Sequence, residues 1–312
     1  MLNEGDLDPW VAEWLEANPL SFDDFSPETV ALARGSFEVP ITREISHVRD
    51  EVIAGVSVRT YRHSDHPTGL VVYFHGGGWC IGSVALMDNI AREVAYATGA
   101  AVISVDYRLA PENPFPAGLN DCEAVTRWSL ANTKSFDAPE GAVVVAGESA
   151  GGNLAAAVAL RLRDAQVERR PVGQVLMYPV LDTGDSSHPS RTEFAHLILS
   201  EKAHEWFWDS YRGGQDLSQD GAYAAPLHAA TLSDLPPALV VLGGCDGLRD
   251  EGRAYARRLR DEGIDTEEVC YPGQPHGFLN LGFPAARDAF DNVGVWVRRH
   301  LESAGAFGST PT

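Results

Sequence analysis

Positive charge is scarce in this chain: 24 Lys and Arg stand against 44 Asp and Glu over 312 residues, a formal net charge of -20. A surface of that sign repels a phosphate backbone, which excludes nucleic acid as a partner and leaves the acidity as a well-solvated surface. Cysteine is sparse as well. Cys80, Cys122, Cys245 and Cys270 form no CxxC pair and no Cys/His spacing that would tether zinc, so they read as reduced core residues, with no metal or cofactor implied. Long apolar runs are missing. No uninterrupted stretch has the length needed to cross a bilayer. The start, Met1 to Ala17, holds acidic residues and tryptophans where a secretory signal would be basic and then apolar. The expectation is a soluble, cytoplasmic protein without a membrane partner.

What is present is an ordinary globular composition, 44% hydrophobic and 22% charged, sufficient for one large domain with a small appendage. Short apolar runs alternate with longer helical patterns, which predicts an α/β fold with a mostly parallel central sheet flanked by helices. Strands are expected at residues 52–61, 69–74, 100–106, 142–146, 173–178, 238–242 and 266–271, and helices at 86–97, 116–131, 154–163, 249–262 and 285–301. The 154–163 helix is apolar nearly all round and should be buried.

Two segments break the alternation. In residues 1–45, Asp8-Pro9 opens an amphipathic helix bearing Trp10, Val11, Trp14 and Leu15, and Ser26-Pro27-Glu28 opens another. Residues 182–221 interrupt the sheet and carry Trp206, Phe207, Trp208 and Tyr211. Long insertions between strands of such a sheet form lids or caps. The chain therefore divides into a cap (1–45 and 182–221), an α/β body (46–181 and 222–303) and a flexible tail (304–312). Trp79, Trp206, Phe207 and Tyr211 are candidates for a substrate pocket, although packing of cap helices on the body explains the aromatic cluster equally well.

Gly147-Glu148-Ser149-Ala150-Gly151 lies between an expected strand and an expected helix, the context of a G-x-S-x-G nucleophile elbow. Small flanking residues let the chain turn sharply and expose the Ser149 hydroxyl. His75-Gly76-Gly77-Gly78 follows the 69–74 strand, where backbone N–H groups free of any Cβ can approach an oxyanion. Gly77, Gly78 and Ala150 are the expected donors, with His75 and Gly76 supporting the loop. A serine needs a base, and the base an orienting carboxylate, each in a loop after a later strand. His276 and Asp246 occupy those positions. Asp250 and Glu251 compete for the acid but are better explained as first-turn helix residues, and His300 falls in a helix. Arg108 and Glu112 are expected to pair and brace the loop before Pro116.

Four ordered blocks carry a resemblance: His75 to Trp79; Tyr107-Arg108-Leu109-Ala110-Pro111-Glu112 with Phe115-Pro116-Ala117; Gly147 to Gly152; and Asp246 to Glu251 followed by His276-Gly277-Phe278. Together they resemble the hormone-sensitive lipase family, also called bacterial family IV esterases, from about residue 50 to residue 301. The resemblance implies an α/β-hydrolase fold with a helical cap. It also implies a serine carboxylesterase that acts on small carboxylic esters of short to medium chain and needs no metal or cofactor. A homodimer is compatible with it. Two departures are Glu148, where many members have Asp, and Gly247, where proline is commoner. An amidase or acyltransferase would share the triad, since fold and triad do not fix the acyl acceptor.

Overall fold

A strand that is apolar on both faces must be covered on both, and the order of elements supplies that cover. The computed structural model describes residues 3, 5–18, 26–34, 40–184, 187–217 and 221–307. The first half contains α1 (Pro9–Ala17), α2 (Pro27–Arg34), β1 (His47–Ile53), β2 (Val56–Arg62), β3 (Leu70–Phe74), α3 (Asp88–Thr98), β4 (Ala101–Val105), α4 (Ala117–Ala131), β5 (Val143–Glu148) and α5 (Ala150–Asp164). The second half contains β6 (Gly173–Met177), α6 (Pro189–Glu193), α7 (Glu201–Arg212), α8 (Gly221–Ala224), β7 (Ala238–Cys245), α9 (Arg249–Asp261), β8 (Thr266–Pro275) and α10 (Pro284–Phe307). The strands form one sheet in the order β1-β2-β4-β3-β5-β6-β7-β8. Only β1 and β2 run antiparallel to their neighbours; the pairs from β4 to β8 are parallel.

Strands β3 to β7 are buried along their whole lengths. Residues of α4, α5 and α9 pack on one face, and residues of α3, α10 and α1 on the other. Helix α5 is enclosed nearly all round, as its composition predicts. Asp8 caps α1 by accepting from the N–H of Trp10 at 2.8 Å, and Trp10 and Trp14 meet the ring of Phe283 edge-on at 5.5 and 5.1 Å.

Several details differ from expectation. The single strand at 52–61 is a hairpin: Ala54 (φ 52) and Gly55 (φ 82) are both left-handed and join β1 to β2 in a two-residue turn. An Ala-Gly pair is a weaker signal for such a turn than Asn-Gly. Helix α5 starts at Ala150, four residues before the apolar run that marked it. Residues 304–307, expected in the tail, belong to α10; 308–312 lie outside the described residues, as do 1, 2, 4, 19–25, 35–39, 185–186 and 218–220 of the two expected cap segments.

Arg108 and Glu112 do not pair. Arg108 grips Asp121 of α4 with two bonds of 2.8 Å, while Glu112 takes Arg34 of α2 at 2.8 and 2.9 Å. An i,i+4 pairing needs a helix to bring the side chains together, and this segment is a loop. Each guanidinium instead meets a carboxylate that presents both oxygens to its planar fork.

Helices α3 and α10 touch where α10 has Gly294: a Cβ there would lie 2.3 Å from the Ala97 carbonyl oxygen. Alanine is favoured over glycine in a helix by about 1 kcal/mol, but a backbone oxygen cannot rotate aside, and overpacking costs about 1–3 kcal/mol. Gly294→Ala is therefore expected to lower the thermal unfolding midpoint; a raised midpoint would mean the helices are not in contact here.

Candidate active site

The end of β5 turns into α5 through a residue with φ 55 and ψ -120, Ser149. That conformation is costly for a non-glycine residue and persists only where its surroundings enforce it. Here they do: a Cβ at Gly147 would lie 2.2 Å from the Gly151 carbonyl oxygen, and one at Gly151 would lie 1.9 Å from that of Phe74. The Ser149 Oγ lies 2.9 Å from His276 Nε2, and His276 Nδ1 lies 2.9 Å from Asp246 Oδ2. Asp246 is 1% exposed, and its other oxygen accepts from the Leu248 N–H at 2.9 Å. Both partners sit one residue past a strand, Asp246 after β7 and His276 after β8.

The alternatives weighed from sequence are engaged elsewhere. Asp250 accepts from the Ser190 N–H at 2.9 Å and from Arg249. Glu251 is fully buried against Arg191 at 2.5 Å. His300 stacks on Trp296. Burial works against a charge on His276, yet the charge and hydrogen bond of Asp246, aided by Glu148 and Glu251, hold its pKa above the usual histidine range. An imidazolium formed there is stabilised.

The His75–Gly78 loop passes beside Ser149. His75 is buried, stacked on Tyr107 at 4.3 Å, with Nδ1 2.7 Å from the Gly76 carbonyl; burial lowers its pKa, so it holds the loop as a neutral ring. Gly77 (φ 110) and Gly78 (φ 57) are in conformations that suit glycine. A Cβ on Gly78 would also lie 2.3 Å from the Phe207 ring. Ala150 opens α5, so its N–H is among the first-turn donors without an intrahelical partner.

A mainly apolar cavity of about 340 Å³ adjoins Ser149 and His276. Gly77, Gly78, Trp79 and Phe207 line it; Trp206 and Tyr211 do not. Tyr211 lies behind the wall, stacked on Trp79 at 4.1 Å, and Trp206 meets Phe207 edge-on at 5.2 Å, one position round the helix. Wall residues that sequence reasoning missed include Ala33 of α2, Met87, Tyr178, Ile198, His204 and Leu281. None stands in a motif; they come together only through the fold. Among the described residues no group of three or more His, Cys, Asp or Glu could hold a metal ion, and no helix is long and apolar enough to cross a membrane.

A family profile described as "alpha/beta hydrolase fold" matches residues 71–280. The chain belongs to the α/β-hydrolase fold family. This hydrolase is 37% identical to esterase LipI of Mycobacterium tuberculosis over 94% of each chain. It is 36% identical to carboxylesterase NlhH of the same species, covering 96% of this chain and 97% of that one. Among solved structures, the hyperthermophilic esterase of the archaeon Pyrobaculum calidifontis superposes with a TM-score of 0.85 at 34% identity, covering 94% and 98% of the two chains. These relatives bear out the resemblance to hormone-sensitive lipase family esterases.

In this hydrolase Glu148 does more than its place beside Ser149 suggests. It is buried, accepts from the Gly76 N–H at 2.5 Å and from the Tyr73 hydroxyl at 3.2 Å, and lines the cavity. Burial pushes its pKa up to about 7, against the opposing pull of the Gly76 N–H and His276. Because the folded pKa exceeds the unfolded value of 4.5, the stability linked to the Glu148 proton is fully present below pH 4.5 and is lost as pH rises through about 7. Glu148→Gln, with no proton to lose, should flatten the fall of the urea midpoint between about pH 5 and about pH 8. Parallel pH profiles for the two proteins would show that Glu148 is ionised throughout.

Proposed function

We propose that this hydrolase is a serine carboxylesterase in which Ser149 attacks the ester carbonyl, His276 takes its proton and Asp246 orients the ring. The carrying observation is the Ser149–His276–Asp246 chain, two contacts of 2.9 Å each, opening on an apolar cavity. The names of the relatives, esterase and carboxylesterase, support it.

The Ser149 oxygen forms a bond to the carbonyl carbon as its proton passes to His276 Nε2. The carbonyl oxygen becomes an oxyanion facing the N–H groups of Gly77, Gly78 and Ala150; the Gly76 N–H is already committed to Glu148. Collapse breaks the C–O bond, and the departing alcohol takes the proton from His276. Water then attacks the acyl-enzyme with the same base. The Asp246 carboxylate, which holds the His276 pKa above its usual range against the effect of burial, stabilises the imidazolium formed at each step. Helices α1 and α2 with residues 182–221 act as a cap, a reading supported by Ala33 of α2 and Phe207 of α7 on the cavity wall. A cytoplasmic location fits the acidic surface and the lack of a membrane-spanning helix among the described residues.

Ser149→Ala removes the attacking atom and leaves the elbow backbone unchanged, so ester hydrolysis should fall on the order of 10⁶-fold with the unfolding midpoint nearly unmoved. Turnover near the wild-type rate by a sequence-verified variant would remove the nucleophile assignment. The cavity bounds the acyl group. Each buried CH₂ adds about 0.8 kcal/mol while there is room, so kcat/KM should rise from p-nitrophenyl acetate, peak within acyl groups of roughly two to eight carbons, and fall at palmitate, which outgrows about 340 Å³. Palmitate turned over as efficiently as butyrate would show an open channel in place of a closed pocket.

A further inference from the structure

Most polar side chains in the cavity wall have their partners. Ser149 meets His276, Glu148 accepts from Gly76, and the Tyr178 hydroxyl donates to Asn280 Oδ1 at 2.9 Å. His204 differs. It is 7% exposed, and its Nε2 is buried without a hydrogen-bond partner. Trp79 Nε1 shares that condition, but its ring is fixed by stacking on Tyr211. His204 also borders a second, more polar cavity of about 180 Å³ lined by Arg191, Ser200, Glu201 and Glu205, so the imidazole forms part of the wall between the two spaces.

A buried polar atom without a partner is costly and calls for an explanation such as a ligand. We propose that His204 is a specificity-determining residue that selects esters bearing a hydroxyl group away from the scissile bond. The inference rests on the carboxylesterase reading above. Burial, with the nearby positive charges of Arg191 and His276, drives the His204 pKa down to about 3, so the ring is neutral wherever the enzyme works. A neutral imidazole offers one donor and one acceptor. The Thr183 backbone takes up the other ring nitrogen, which leaves Nε2 as an acceptor to which a hydroxyl can donate, whereas a carboxylate has no proton to give and would be stripped of water without meeting a positive charge on His204.

Position sets the distance. His204 and Phe207 are three residues apart on α7, hence on one face and about one turn, roughly 5 Å, from each other. Phe207 lies directly over Gly78 of the oxyanion loop. A hydroxyl a few bonds from the ester carbonyl would therefore come within reach of His204, from the acyl or the alcohol side.

Two matched pairs test this, each replacing a hydroxyl by a methyl of similar size: ethyl 3-hydroxybutyrate against ethyl 3-methylbutyrate, and 2-hydroxyethyl butyrate against propyl butyrate. In at least one pair the wild-type enzyme should favour the hydroxy ester by about 3- to 10-fold in kcat/KM, the scale of one neutral hydrogen bond. His204→Leu should bring that ratio to one or below, and His204→Gln, which keeps a donor and an acceptor, should retain it. Using a ratio cancels any general change in rate. A wild-type ratio of one in both pairs, or a preference that survives His204→Leu, overturns the proposal; if the leucine variant does not fold, the wild-type ratios and the glutamine variant decide it. Hydrolysis of none of the four esters overturns the esterase reading itself, and the inference with it.

Discussion

The structure of the site depends on one close approach, that of the α5 start to the end of β3. With no side chain at Gly151, the helix can begin against the Phe74 carbonyl, where a Cβ would lie only 1.9 Å from the oxygen. Three consequences follow from that contact. The chain leaving β5 has to turn within one residue, which puts Ser149 in its left-handed conformation. The first N–H groups of α5 are brought beside the loop that follows β3, so two separate parts of the chain can face one oxygen atom. Finally, the helix is drawn so far into the body that nearly every side chain on it is enclosed, which explains its run of alanines: larger residues would not fit between the sheet and its neighbours.

Three carboxyl groups are buried close to the site, and their surroundings give them different tasks. Asp246 meets an imidazole, Glu148 meets backbone N–H, and Glu251 meets the Arg191 guanidinium together with the N–H groups of Leu181 and Asp182 at 2.6 and 3.2 Å. The last arrangement joins the 182–221 segment to α9 of the body. Its charges are almost wholly removed from water, so losing either partner would strand the other, at about 3–5 kcal/mol.

Much of this was legible in the sequence because the relevant signals are local. A serine between glycines, after a strand and before a helix, marks a sharp turn whatever surrounds it, and apolar strands separated by amphipathic helices give the sheet. Asp246 and His276 could be placed because each follows a strand directly. The cavity wall was less legible. Phe207 and Trp206 are adjacent in sequence and similar in chemistry, yet helical geometry points only one of them at Gly78. Ala33, Met87 and His204 have no chemical mark that separates them from core residues. Glu148 could be read as a substitution in a motif, but its hold on Gly76 depends on a loop 72 residues away in sequence.

The attachment of α2 has a consequence for the cavity wall. Arg34 alone reaches the Cys80 and Ala110 carbonyls, both at 2.6 Å, as well as the Glu112 carboxylate. Its neighbour Ala33 contributes to the cavity wall, whereas Ser149, His276 and Asp246 are held by the sheet. The α2 part of the cavity wall and the Ser149–His276–Asp246 chain are thus fastened independently. Changes of side chain along α2 can therefore reshape that stretch of wall while the same clamp seats the helix, without any revision of Ser149, His276 or Asp246.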